Sequence, residues 1–519
     1  MSSGRRFWST ALVGVLAMVA TACEPNRFVS GWIPYWEAND GQVAMRDPDA
    51  SALFSEVSPM WFGLGGSGTI VALTGTSTLD SAVAAARQRG IPVIPSIYDS
   101  TSAGVMSGVI ANATLRAQHV NAIVDLVMSK GFDGIDLDYE VWAFSQRSEW
   151  DTIKPNWITF VTSLASALHA RGKVLSMTVP PVWSGGTRGY WVYAQAELAP
   201  VVDRIRLMAY DWSVGAPGPV SPMFWIDSVI AYSSSIAPPE KLQLGVPTYG
   251  RHWWSPADES AVCPDADLDG VEALRMDEIA AYRNVPGRTT VRDATGELRI
   301  TWTEEVTGFS ADQPTAPPGF VPVSTVPAYL VPADAAPSLA DRITPPGGIV
   351  SCTVEHELYV SDAITVRMHA AAALAADWSG IVVWALGYET ADMYQRLATL
   401  DAGRPNGDPI VTLDPITAPS SSPAQVAVSG ASYDPEFDLP TGVRIVVTNR
   451  SSSAVVWDRT ITANSSREAQ ADLPSGIGIH HGFARNVRLT TGPYRVCATT
   501  LGYDASDPQP TVCRNVTVP

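Results

Sequence analysis

Between residues 28 and 388 short apolar runs alternate with amphipathic stretches, and this order most limits how the 519-residue chain can fold. Eight runs rich in Val, Ile, Leu and aromatic residues fall at 28–36, 56–64, 91–98, 132–140, 173–180, 204–211, 242–249 and 380–388. Helical patterns at 79–88, 115–128, 155–170, 222–235 and 362–376 lie between them. Three helical patterns close on Gly90, Gly131 and Gly172, just before the next apolar run. A left-handed helix C-cap favours a residue without Cβ at that place. Strands fed by helices pair in parallel and are covered on both faces. Eight such units predict an α/β fold, a (β/α)8 TIM barrel. A doubly wound open sheet is the alternative, and the chain shows no phosphate-cradling glycine loop to support it.

Two departures from the alternation mark the domain plan. Between the seventh and eighth runs, residues 255–361 are rich in Pro, Asp and Ala and carry a strand pattern near 297–303. They predict a small α+β insertion beside the barrel mouth. After residue 402 the composition changes: 403–424 hold Gly403, Pro405, Gly407, Pro409, Pro415, Pro419 and a serine run, which reads as a linker. From 425 to 519 short β patterns alternate with turn residues, as in an all-β sandwich.

The fourth apolar run carries the chemistry. It reads Phe132-Asp-Gly-Ile-Asp136-Leu-Asp138-Tyr-Glu140. Strand side chains alternate, so Asp136, Asp138 and Glu140 share one face at roughly 6–7 Å intervals while Ile135, Leu137 and Tyr139 share the other. An acidic row is costly where burial and mutual repulsion both oppose ionisation. On an edge strand it would be a solvated face. In a strand covered on both sides it reads as catalytic.

Charge and cysteine usage set the partners and the compartment. A net charge of −18 argues against nucleic acid, whose phosphates need a basic surface, and against anionic wall polymers. Arg5 and Arg6 precede an apolar stretch at 7–22 that is too short for a stable span and ends in Ala20-Thr21-Ala22. Residues 1–22 therefore read as a signal peptide and 23–27 as a tether in an exported protein. Cys23 would follow the cleaved bond, and it would be lipidated if the segment is a lipoprotein box. The other cysteines, Cys263, Cys352, Cys497 and Cys513, form an even set. Of three connectivities, Cys263–Cys352 and Cys497–Cys513 keep each bridge within one domain. Asp265, Asp267 and Asp269 copy the first half of a calcium loop, but its twelfth position is Met276, so a solvated acidic turn is the simpler reading. No cofactor and no metal is expected.

The segment Asp133-Gly-Ile-Asp136-Leu-Asp138-Tyr-Glu140 resembles the DGxDxDxE motif of glycoside hydrolase family 18, the chitinase-like hydrolases. Met208-Ala-Tyr210-Asp211, Gly245-Val-Pro-Thr-Tyr249-Gly250 and Gly380-Ile-Val-Val-Trp384 are similar to that family's segments on strands six, seven and eight. The resemblance covers roughly residues 28–402, about the extent of one such barrel. Pro217 to Pro222 and Pro238 to Gly245 look closest to the spore-cortex and cell-wall branch, whereas the motif itself looks more like the chitinases. The family's Ser-x-Gly-Gly on strand three is replaced by Ile-Pro-Val-Ile-Pro-Ser-Ile-Tyr98. The C-terminal segments Gly492-Pro-Tyr494-Arg-Val-Cys497 and Cys513-Arg-Asn-Val resemble immunoglobulin-like domains of secreted actinobacterial proteins.

The resemblance implies cleavage of β-1,4-linked N-acetylglucosamine polymers, chitin or peptidoglycan glycan, in which the substrate's own acetamide attacks and configuration is retained. It makes Glu140 the acid and then the base. Asp138 would orient the acetamide, and Asp136 would share a proton beneath it. Tyr210 would donate to the acetamide oxygen, Asp211 would bind the sugar, and Trp384 would floor the pocket. Met208 and Tyr35 are further substrate-binding candidates. Taken alone Tyr210 and Trp384 could simply fill the barrel core, but their placement at the ends of strands six and eight favours the functional reading. Trp142, Trp212, Trp253 and Trp254 could stack on sugars or pack against the insertion. His480-His481 reads as a polar loop or a ligand pair. The competing function is a lectin-like barrel that binds glycan without cleaving it; a third assigns the C-terminal domain an adhesive role. A monomer is expected.

Overall fold

A computed structural model describes residues 27–258, 263–264, 268–283, 285–292, 295–309, 320–322, 330–332, 349–398, 400, 409–418, 424–434, 437–463, 481–501 and 509–519. The signal segment, Cys23, Asp265, Asp267 and His480 lie outside them.

Eight parallel strands close on themselves: β1 Val29–Pro34, β2 Phe54–Leu64, β3 Ser96–Tyr98, β4 Gly134–Asp138, β5 Val174–Val179, β6 Arg204–Leu207, β7 Leu242–Pro247 and β8 Gly380–Trp384. Each pairs with its sequence neighbours, and β1 pairs with both β2 and β8, which seals the barrel. Helices Thr76–Gln88, Ala113–Lys130, Trp150–His169, Met223–Ser234 and Ala363–Ala375 occupy the expected helical stretches. Gly90, Gly131 and Gly172 adopt φ of +65°, +67° and +66°, the left-handed conformation that turns each helix back toward the next strand.

The alternation on β4 sorts its residues as the pattern requires. Ile135, Leu137 and Tyr139 are buried against the helical layer. There the Tyr139 hydroxyl lies 2.6 Å from His119 Nε2, whose Nδ1 lies 2.6 Å from the Gly68 carbonyl. Burial lowers the His119 pKa to about 4, so the ring is a neutral structural link. Asp136 and Asp138 point the other way, into the barrel.

Strand lengths differ from expectation in three informative places. The third run pairs regularly only over Ser96–Tyr98, with a single bridge from Val93 to Val57 before it. Pro92 and Pro95 have no N–H for the ladder. The fourth run stops at Asp138, and Glu140 sits beyond it as the N-cap of the short helix Val141–Ser145. The sixth stops at Leu207, so Tyr210 and Asp211 lie past the strand end, Asp211 at φ +61°. A short strand Ile70–Ala72, absent from the pattern reading, folds back antiparallel on β2.

Between β7 and β8 an antiparallel sheet is ordered Gly270–Arg275, Tyr249–Pro256, Ile349–Val360, Leu298–Phe309, Thr289–Arg292. Its first strand leaves β7 almost directly, at Tyr249, earlier than the 255 read from composition. Cys263 and Cys352 are bonded beside it, their Cα atoms 5.3 Å apart. Beyond residue 409 two four-stranded antiparallel sheets enclose an apolar core that includes Val426, Val428, Ile445, Val447, Phe483 and Val496. The Cys497–Cys513 bond joins directly paired residues of strands Gly492–Leu501 and Thr511–Val518. Among the described residues, no helix is long and apolar enough to cross a membrane.

Candidate active site

The site forms where β3, β4, β6 and β8 end, at the C-terminal rim of the barrel. Asp136, fully buried, is the lowest carboxylate. Its Oδ2 accepts from Trp32 Nε1 on β1 at 3.2 Å, Ser96 Oγ on β3 at 2.7 Å and Thr178 Oγ1 on β5 at 2.8 Å. An Arg206 guanidinium nitrogen on β6 lies 3.3 Å from the same oxygen. One level higher Asp138 is buried next to Glu140, and no hydroxyl, amide or guanidinium donor among the described residues reaches its Oδ1.

Burial and the anions around it set the protonation of this pair. Desolvation is the largest cause holding the Asp138 carboxyl well above the ordinary aspartate range, followed by the neighbouring Glu140 and Asp136. Burial raises the Glu140 pKa from 4.5 to about 7; the bond to Asp138 opposes the rise and the charge of Asp211 adds to it. Two adjacent buried carboxyls with raised affinity hold a proton between them near neutrality. A carboxylic acid that keeps its proton at that pH can donate it to a leaving oxygen.

The surrounding residues converge on the pair from several strand ends. Tyr210 follows β6, and its hydroxyl is held well above the usual phenol range by burial first, then by Tyr249, Glu140 and Asp138. It therefore stays a donor beside the two carboxyls. Asp211 is half exposed and is gripped by the Tyr249 hydroxyl at 2.5 Å and Arg251 at 2.7 Å, both from the first insertion strand. Trp384 ends β8 and meets Trp32 and Trp36 edge-on, with ring centroids 6.0 and 6.3 Å apart. Tyr35 stays exposed at the end of β1 against Trp36. Met208 is buried beneath Tyr210, its backbone nitrogen bonded to the Val179 carbonyl.

The four tryptophans divide. Trp142 is fully buried, because the helix Val141–Ser145 turns it under Tyr139, Trp157 and Tyr193. It packs and does not face solvent. Trp253 is 8% exposed, and Trp254 packs on His252. Trp212, 38% exposed, stands edge-on to Phe224. His481 is buried beside Tyr433 rather than in a polar loop.

Several site residues escaped the sequence reading. Tyr98 pairs in register with Asp138, and burial, Glu140 and Asp138 raise its hydroxyl pKa. Tyr193 lies under the pair and donates to the Tyr139 carbonyl at 2.6 Å. Arg206, fully buried on β6, escaped as well, because a lone charged residue in a strand reads as exposed.

A parallel (β/α)8 barrel with a titratable pair at its C-terminal rim defines a barrel of the enzyme type. The model of the glycosyl hydrolases family 18 matches residues 35–315, and the chain belongs to that family. The putative sporulation-specific glycosylase YdhD of Bacillus subtilis (strain 168) is 30% identical over 233 residues, which are 43% of this chain and 54% of that protein. The cortical fragment-lytic enzyme of Bacillus anthracis is 27% identical over 191 residues, 36% of this chain and 42% of that protein. The chain thus spans about half the length of the curated relatives it matches. The chitinase from Chromobacterium violaceum ATCC 12472 shares the fold with a TM-score of 0.52 at 20% identity, over 72% of this chain and 98% of that one. The spore cortex-lytic enzyme SleL of Bacillus megaterium QM B1551 shares it with a TM-score of 0.51 at 16% identity, over 73% and 75%.

Proposed function

We propose that the protein is an exported, retaining glycosidase that cleaves β-1,4-linked N-acetylglucosamine polymers with the help of the substrate's acetamide. One observation carries the mechanism: Asp138 and Glu140 are adjacent buried carboxyls at one strand end, each altering the other's hold on its proton, and no donor among the described residues reaches the Asp138 Oδ1. Both carboxyls come from one strand end and the same face of it, so they do not flank the sugar from opposite sides as a paired nucleophile and acid would. Neither can act from the opposite face. The acetamide oxygen then attacks the anomeric carbon, forming a C–O bond as the glycosidic bond breaks, while Glu140 gives its proton to the leaving oxygen. Asp138 Oδ1 accepts the acetamide N–H and stabilises the charge that develops there. Tyr210 donates to the acetamide oxygen, Asp211 and Trp384 hold the sugar, and Glu140 next takes a proton from the water that opens the ring intermediate.

The spore-related names of the relatives favour peptidoglycan glycan, and the net charge of −18 favours neutral chitin. The two disulfides are in keeping with export, Cys23 is the proposed lipid attachment, and the enzyme acts as a monomer. The barrel is assigned to 28–402 and the C-terminal sandwich, read as immunoglobulin-like, to 425–519. Purified protein and Glu140→Gln are to be compared on acetylated chitin oligosaccharides and on peptidoglycan, with products identified by mass spectrometry. Cleavage by the native protein alone supports the reading. Equal release by both proteins, or binding without release, favours the lectin-like alternative.

A further inference from the structure

The floor of the barrel holds a buried charged group that neither substrate contact nor the acid–base step uses. Arg206, on β6, is fully buried. Its Nε donates to Gln243 on β7 at 2.9 Å, one terminal nitrogen to Glu56 on β2 at 2.8 Å, and the other to Ser58 at 2.5 Å. The nitrogen that meets Ser58 also lies 3.3 Å from Asp136 Oδ2. Gln243 donates in turn to Glu56 and Ser30, and Arg204 Nε lies 3.5 Å from Glu56. Releasing this cation to solvent would leave Asp136 without a countercharge and Glu56 with only the longer Arg204 contact.

We propose that Arg206 is a positioning residue for the carboxylate column: it pins Asp136 as a hydrogen-bond acceptor and so confines the exchangeable proton to the Asp138–Glu140 pair. The donors converging on Asp136 Oδ2 carry the point. Trp32 N–H and the Arg206 guanidinium can only donate, and Ser96 and Thr178 are directed at the same oxygen. With Asp136 saturated from below, the exchangeable proton is left to Asp138 and its neighbour Glu140, where the leaving oxygen would sit. The other charged or titratable groups facing the pair are Asp99 and Tyr98 beyond β3, Tyr190 and Tyr193 beyond β5, and Tyr210 and Asp211 beyond β6. None of them is a cation; among the described residues Arg206 is the cation that reaches Asp136, while Arg204 meets only Glu56 at the barrel floor.

This inference rests on the proposed glycosidase reading, and its test separates the two. Removing the cation makes the pair hold its protons to higher pH, whereas removing the Glu56 anion does the reverse. The pH profile of kcat on an acetylated oligosaccharide is measured for the native protein, Arg206→Gln, Arg206→Lys and Glu56→Gln. Arg206→Gln should move both limbs up by about one pH unit, and Glu56→Gln should move them down by about half a unit. Arg206→Lys should keep the native profile. A fall in kcat at every pH with unmoved limbs in both charge-changing variants overturns the proposal, leaving Arg206 a structural brace. If Arg206→Gln does not fold, the downward shift in Glu56→Gln decides alone. If the native protein hydrolyses nothing, the glycosidase reading fails by itself. The infrared carboxyl band then still decides: Arg206→Gln should carry more protonated carboxyl than the native protein at pH 7, and equal bands refute the role given to Arg206.

Discussion

The barrel buries carboxylates at two depths and treats them in opposite ways. At the floor, Asp136 and Glu56 are met by Arg206, Gln243, Trp32, Ser96 and Thr178. One level higher, Asp138 and Glu140 are neighbouring carboxyls, and no donor among the described residues reaches the Asp138 Oδ1. Both levels are removed from water, so burial alone does not make a group reactive. The floor is a saturated network, which fixes geometry; the rim is left short of donors, which keeps a proton in play near neutrality. The difference lies in the supply of partners rather than in the residues, since aspartates serve at both levels.

Substitutions at the two levels should therefore fail differently. Glu140→Gln removes the acid and should lower kcat by about 10³-fold or more; a loss under tenfold breaks the assignment. Asp138→Asn keeps the shape but cannot accept the acetamide N–H as an anion. A loss of about 10²-fold in kcat with little change in KM is expected. A loss confined to KM would instead place Asp138 in simple binding. With Glu140 poised at about 7, activity must fall as pH rises through that value, because the acid is then ionised. An alkaline limb of kcat/KM two units away would show that the free enzyme does not hold its proton on this pair.

The smallest effect concerns stability. The folded Glu140 pKa, about 7, exceeds the ordinary 4.5, so the native state binds the proton more tightly than the unfolded chain. Stability from this group is present below about 4.5 and is lost as pH rises to about 7. Glu140→Gln should thus raise the Tm at pH 8 by about 1–3 °C and change little at pH 4. Asp136→Asn, in the saturated floor, should lower it at both. A fall in Tm for both variants at pH 8 would erase the distinction between the levels.

How far the sequence carried these conclusions depends on whether local alternation or tertiary packing decided a residue's place. Period-two alternation separated Asp136 and Asp138 from Tyr139, and glycine C-caps at Gly131 and Gly172 bracketed the fourth and fifth units. Eight strands in order were enough for the barrel. Trp142 was not legible: it follows a strand end like a rim residue, and only the turn of Val141–Ser145 carries it inward under Trp157. Arg206 was hidden for another reason. A lone charged residue in a strand looks like an exposed one until its partners Glu56 and Asp136, on β2 and β4, are brought beside it by barrel closure. The setting of Asp138, short of donors beside Glu140, is likewise a property of four strands converging, and no single segment records it.

The central claim is that the two carboxyls at the rim act from one side of the sugar, with the acetamide as nucleophile. Proton NMR of the first products released from a β-linked N-acetylglucosamine oligomer tests it most directly. Initial product in the β configuration is the predicted result. Initial α product would mean that water attacks directly from the opposite face, and the account of Asp138 and Glu140 as an adjacent pair with a substrate nucleophile would be wrong.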